Sequence, residues 1–307
     1  MNKFIWCLNT EKGYQVLKKI HNDYFENIGL ICSYPEWNVK ENYGQSIANY
    51  CISNNIQYIQ WDALKSDLEH YIKKNNISGI IAIGWQFLIP LEYNTILDNK
   101  IIVFHDSLLP KYRGFCPLAT AILKGENEIG VSVIYASEGI DEGEIILQKK
   151  ANIDNVAYLK DAINLISHLY YEGVEDLLFM INSNTITSHK QKQSEATYCL
   201  WRDPNDQKID WNDSATNIYN LIRASGPPYL GAYTQLKNKT IRIWKASVQE
   251  NDINFEIRNP GKIWNLENGK PVVVCGKGLL KIISATYEDG TNAVPIQKLR
   301  QRFGAED

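Results

Sequence analysis

A chain of 307 residues that is 44% hydrophobic and 22% charged, with a formal net charge of -3, has the composition of a folded globular protein. It is long enough for one large or two modest domains. That balance excludes a disordered chain, and the slight acidity weighs against a protein that grips nucleic acid over a broad basic surface. Its six cysteines, Cys7, Cys32, Cys51, Cys116, Cys199 and Cys275, form no C-x-x-C pair, so they read as free thiols, with neither a zinc site nor a disulfide framework expected.

The first residues, M-N-K-F-I-W-C-L-N, lack a signal-peptide pattern. No uncharged apolar run approaches the roughly 18 residues of a membrane span, and a cytoplasmic protein without membrane partners is expected. Short apolar runs at 4–8, 28–33, 56–60, 79–83 and 101–104 alternate with stretches of helical spacing such as Val16, Leu17 and Ile20. This alternation predicts an α/β domain, a parallel sheet with helices on both faces, and right-handed crossovers make a Rossmann-like layout the default. The first run is followed by L-N-T-E-K-G rather than G-x-G-x-x-G, so no dinucleotide cofactor is indicated. A further strand is predicted over 130–136 and a long helix over 155–181, with Leu159, Ile163, Ile166, Leu169 and Leu178 facing the sheet and His168 without a chemical role.

The segment 182–193 is polar and aperiodic, and 196–211 reads as a linker carrying aromatic anchors. The stretch 217–233 predicts a helix ended by Gly226 and the pair Pro227 and Pro228. Short strands at 240–244, 261–264, 271–275 and 278–285, separated by Gly and Asn turns, predict a small barrel or sandwich. The domain boundaries are therefore set at 1–195, a linker at 196–209, and 210–307.

Chemistry concentrates between 105 and 148. The block H-D-S-L-L-P-K-Y-R-G-F places His105 at the carboxyl end of a strand, where open parallel sheets bind ligands. The block E-G-I-D-E-G-E-I-I-L-Q places Asp141 in a turn between Gly139 and Gly143. A histidine and a carboxylate converging on one crevice can handle the protons of an acyl transfer. Before them, G-W-Q-F-L-I-P at 84–90 offers Trp85, Phe87 and Leu88 as apolar or stacking walls.

The motifs S-L-L-P-x-x-R-G, G-V-S-V and G-I-D-E-G-E, with the later block R-A-S-G-P-P-Y-L-G-A, resemble the 10-formyltetrahydrofolate-dependent formyltransferases over nearly the whole chain. The resemblance implies a Rossmann-like catalytic domain followed by a small oligonucleotide/oligosaccharide-binding-like (OB-like) β-barrel. It implies 10-formyltetrahydrofolate as co-substrate and no metal. It makes His105 and Asp141 catalytic, assigns Trp85, Gln86, Phe87, Leu88 and Ile89 to the folate with Gly139 and Ile140 as the opposite wall, and gives Ser107, Lys111, Tyr112 and Arg113 to the acceptor. The family's asparagine, two residues before the histidine, is replaced by Val103. Loss of an oxyanion donor costs about 3 kcal/mol elsewhere, so activity is expected to survive through a backbone N–H, a protonated His105 or a water held by Gln86. The acceptor is expected to be a nucleotide-linked amino sugar rather than nucleic acid. Methionyl-tRNA is the alternative, and a weakly active binding protein the third reading. The carboxyl-terminal domain is expected to shape the acceptor site or form a homodimer.

Overall fold

The computed structural model describes residues 2–36, 41–98, 100–250 and 253–304. They divide into two compact units, the first built from 1–118, 128–153 and 161–200, the second from 119–127, 154–160 and 201–307.

The first unit begins with five strands, β1 (Phe4–Leu8), β2 (Ile28–Ser33), β3 (Tyr58–Gln60), β4 (Gly79–Ile83) and β5 (Ile101–His105). The helices between them are α1 (Thr10–Asp23), α2 (Tyr43–Ser53), α3 (Trp61–Leu64), α4 (Leu68–Lys74) and α5 (Asn94–Leu97). Further on come β6 (Arg113–Gly114), α6 (Pro117–Lys124), most of which belongs to the second unit, and then β7 (Glu128–Tyr135), β8 (Ile145–Asn152), α7 (Leu159–Asn182) and β9 (Tyr198–Cys199). Among the described residues the main sheet has the order β3-β2-β1-β4-β5-β7-β8. Its first five strands are parallel, as the alternating pattern predicts. β7 and β8 run antiparallel, which departs from a wholly parallel sheet.

That reversal builds the site. Ile102 pairs with Tyr135, and Ala136 donates its N–H to Ile101, so the turn after β7 starts level with the beginning of β5. It must fold back along β5 to bring Asp141 beside His105. Strand parity gives Ile101, Val103 and His105 one face of β5 and Ile102 and Phe104 the other. On the Val103 face a core of Ile5, Cys7, Leu30, Cys32, Ile80 and Ala82 packs against Trp61, Leu64, Leu68 and Leu97 from α3, α4 and α5. On the opposite face Phe104 stacks on Tyr170 of α7, with ring centroids 5.6 Å apart. Gly173 permits that approach: a Cβ there would lie 3.1 Å from the Phe104 ring and 3.6 Å from Val133.

The second unit is an antiparallel sheet with one longer helix, α8 (Ala215–Ala224). Its strands are β10 (Ala232–Leu236), β11 (Lys239–Val248), β12 (Ile263–Glu267), β13 (Lys270–Val274) and β14 (Leu279–Tyr287), in the order β10-β11-β14-β13-β12. Beyond the ladder, the segment 301–304 bonds on one side to 261–263, with Ile263 donating to the Gln301 carbonyl and Phe303 to that of Gly261, and on the other to β10, with Gly304 donating to the Gln235 carbonyl, so it links the two edge strands as a small barrel would. The side chain of Ser214 accepts from the N–H of Asn217 to cap α8, whose Ile218 and Ile222 pack with Ile241, Ile243 and Ile282. β10 is not among the strands that the sequence predicts, and its first two residues, Ala232 and Tyr233, fall at the end of the stretch 217–233. Its hairpin to β11 is marked by left-handed Lys237 and Asn238, with φ of 50° and 56°, the conformation that a tight hairpin turn requires.

The boundaries also fall differently from the sequence division. Residues 119–127 and 154–160 belong to the second unit: Asn220 donates to the Leu123 carbonyl, Arg223 to that of Ala157, and the Tyr158 hydroxyl accepts from the N–H of Ala246. The expected linker contains β9, whose Tyr198 and Cys199 pair with Arg113 and Gly114 in the first unit.

Candidate active site

His105 ends β5 and is buried. Its Nε2 lies 2.8 Å from the Tyr112 carbonyl oxygen. A carbonyl only accepts, so Nε2 carries a hydrogen, and in the neutral ring Nδ1 is left with its lone pair. Nδ1 lies 3.4 Å from Oδ2 of Asp141. The same oxygen accepts the Gly114 N–H at 2.8 Å. The two residues expected to be catalytic therefore come together, with the carboxylate held by a backbone donor beside the basic nitrogen.

The loop from Ser107 to Arg113 is largely bonded to itself and to the chain's later segment. Ser107 is buried and donates to the Lys111 carbonyl. Tyr112, at φ 62°, donates its N–H to Thr197 Oγ1. Arg113 is fully buried and donates to Gln191, to Gln193 and to the Tyr198 hydroxyl, with Glu142 at 3.6 Å. The side chains of Ser107 and Arg113 thus shape the loop, while Lys111 is exposed to solvent. Gln191, unmarked in the sequence reading, also donates from Nε2 to the carbonyls of Asp141 at 2.7 Å and Gly143 at 2.8 Å.

Asp106, the residue after His105, points to the opposite face. It pairs with Lys12 of α1 and accepts from the Tyr170 hydroxyl. Burial pushes its carboxyl up, but the Lys12 charge and the hydrogen bonds from Lys12 and Tyr170 outweigh burial and hold it below the usual carboxylate range. Burial and then the Asp106 charge raise the Tyr170 hydroxyl well above its ordinary value, so it remains a donor. Nothing in the sequence beyond the unusual neighbour of the histidine could have pointed to this trio, because its members are far apart in the chain.

The loop after β4 turns at Gly84, φ 62°, where a Cβ would lie 2.4 Å from both the Asn9 carbonyl oxygen and Thr10 Oγ1. Trp85 is half-buried among aromatic rings, 5.1 Å from Tyr34 and 5.2 Å from Trp61 between centroids. Ile89 is buried, Gln86 and Phe87 are exposed, and Leu88 is 92% exposed. On the other loop Gly139 is half-buried and Ile140 is 59% exposed. A cleft of about 640 Å³ opens along the Asp141 turn, lined by Asn94, Tyr135, Ala136, Ser137, Glu142, Gly143, Glu144, Lys190 and Gln191. Val103 packs beneath the turn against Leu109, Ile134 and Ile145.

The formyl transferase family matches residues 7–169, and the formyl transferase C-terminal domain matches 202–302. The chain belongs to the formyl transferase family and is a transferase of one-carbon groups. It is 32% identical to the methionyl-tRNA formyltransferase of Clostridium novyi, over 77% of this chain and 76% of that protein. It is 37% identical to the bifunctional polymyxin resistance protein ArnA of Wigglesworthia glossinidia brevipalpis, over 64% of this chain and 30% of that protein. In fold it is similar to a solved N-formyltransferase from Helicobacter canadensis in complex with folinic acid and dTDP-3-aminofucose. That match has a TM-score of 0.68 at 20% identity and covers 92% of this chain and 99% of that one. No described helix is long and apolar enough to cross a membrane.

Proposed function

We propose that the chain moves a formyl group from 10-formyltetrahydrofolate to the amine of a nucleotide-linked amino sugar, a precursor of surface glycans. The observation that carries the chemistry is the pairing of His105 Nδ1 with the Asp141 carboxylate at 3.4 Å. Bound 10-formyltetrahydrofolate supplies an activated formyl carbon. The residues fit a pterin: Asn94 Oδ1 is a buried acceptor without a hydrogen-bond partner and belongs to the lining of the cleft, suited to an N–H edge. Phe87, Leu88 and Ile140 offer exposed apolar surface for a flat ring. Trp85 through Ile89, with Gly139 and Ile140, would hold the donor.

With Nε2 fixed on the Tyr112 carbonyl, Nδ1 of His105 is the nitrogen that takes the proton of the attacking amine. Asp141 stabilises the imidazolium so formed, and the proton then passes to the departing nitrogen. Val103 offers only methyl groups where the family has an amide. The imidazolium therefore becomes the donor for negative charge developing on the formyl oxygen.

The acceptor assignment rests on charge. The chain has 32 Lys and Arg against 35 Asp and Glu, and Arg113 spends its guanidinium inside the protein. That leaves little of the positive footprint that tRNA phosphates demand. The Helicobacter canadensis protein, solved with a dTDP-linked amino sugar, supports the same reading. Methionyl-tRNA as acceptor is the second reading, favoured by the identity to the Clostridium novyi enzyme. Incubation with 10-formyltetrahydrofolate and a panel of dTDP- and UDP-linked amino sugars, read by mass spectrometry, is expected to show a formyl mass gain on a nucleotide sugar. A panel without product, beside formylated methionyl-tRNA, would establish the second reading.

A further inference from the structure

The geometry around Gln191 assigns it a role of its own: we propose that Gln191 is the positioning residue that holds Asp141 against His105. The inference rests on the reading of His105 and Asp141 as the catalytic pair. The Arg113 guanidinium can only donate, and it meets Gln191 Oε1 with Nε at 3.1 Å and Nη2 at 2.8 Å. The carbonyls of Asp141 and Gly143 can only accept, and both face Gln191 Nε2, at 2.7 Å and 2.8 Å. An amide is the side-chain group that satisfies both sides, and its orientation is fixed because a flipped amide would set donor against donor and acceptor against acceptor.

This clamp acts on a backbone that needs one. Asp141 sits at φ 50°, in the left-handed region, which costs a residue with a Cβ about 1 kcal/mol. Its carboxylate is held in front by Gly114, the residue after Arg113, while its carbonyl is held behind by Gln191, which is itself bonded to Arg113. Gln191, Arg113, Gly114 and Asp141 therefore close a ring of bonds. The ring ties the 191–199 segment, the loop after His105 and the acid's turn into one support. Both ends of the Gln191 amide are engaged, by Arg113 and by the Asp141 and Gly143 carbonyls, so it acts on His105 through Asp141.

The test is the imidazole nitrogen spectrum of the full-length protein labelled with ¹⁵N, with the His105 signals identified by their loss in His105→Ala. Gln191→Glu keeps the bond from Arg113 but turns an acceptor toward both carbonyls; Gln191→Met removes both sides. In each variant the Nδ1 resonance is expected to move by at least half the displacement that Asp141→Asn produces. Adding Gln191→Glu to Asp141→Asn is expected to move it no further. A Nδ1 resonance at its native position in both Gln191 variants would overturn the proposal, as would loss of the folded state in both, since the role would then be structural. An unmoved resonance in Asp141→Asn itself would instead refute the catalytic pair, a failure distinct from that of Gln191.

Discussion

At His105 the bond from Nε2 to the Tyr112 carbonyl leaves Nδ1 as the nitrogen free for the proposed proton transfer, with the Asp141 carboxylate beside it. Replacing His105 by Ala, or Asp141 by Asn, is expected to lower turnover by about 100-fold or more while folate binding persists. Steady-state kinetics with a fluorescence titration of the folate checks this, and near-normal turnover in either variant refutes that residue's role. Val103 is the residue that departs from the family. It packs against Leu109, Ile134 and Ile145, apolar side chains that offer an amide no hydrogen-bond partner. Val103→Asn is therefore expected to destabilise the fold by about 1–3 kcal/mol and to raise turnover less than tenfold, under about 1.4 kcal/mol. A gain of about 100-fold would show that the native site lacks an oxyanion donor. The histidine and the acid were legible because short motifs carry them. Gln191 was not, since a glutamine in a polar stretch acquires meaning only when the chain returns to Arg113 and Asp141.

Between elements, the end of β5 is fastened to α1 and α7 by Lys12, Asp106 and Tyr170. Asp106→Asn leaves the mostly buried Lys12 charge without its carboxylate and is expected to cost about 3 kcal/mol near neutral pH. Because the folded carboxyl is held below its ordinary value, the stabilisation is present above the unfolded value of about 3.9 and is lost as pH falls through the lower folded value. Denaturant melts across pH should show the native protein losing stability below about pH 4, with Asp106→Asn lacking that component. Equal acid limbs would contradict it. Elements with strong periodicity were readable: β1, β2, β4, β5, the long α7 and most of the later strands. The antiparallel turn of β7 was not, because an apolar run such as 130–136 reads the same in either direction. Nor was β8, where Lys149 and Lys150 interrupt the apolar pattern and pair with Asp176 and Glu128.

For the whole molecule, the two matched families cover both halves of the chain, and the fold class follows from the alternation of apolar runs. The unit boundaries did not, because 119–127 and 154–160 leave the first sheet's span to pack with α8 and β11, a long-range choice that local sequence does not encode. Charge is the global property that bears on the acceptor, and it can be tested without knowing the site in detail. The most direct measurement is a competition in one vessel, with 10-formyltetrahydrofolate, a dTDP-linked amino sugar and methionyl-tRNA, run with the native protein and with His105→Ala. Mass spectrometry of both acceptors gives their relative kcat/KM. Formylation of the amino sugar that exceeds that of methionyl-tRNA, with both products lost in His105→Ala, is the result predicted. Preferential formylation of methionyl-tRNA, weakening steeply as salt rises, would contradict the acceptor assignment, and undiminished product from His105→Ala would contradict the catalytic one.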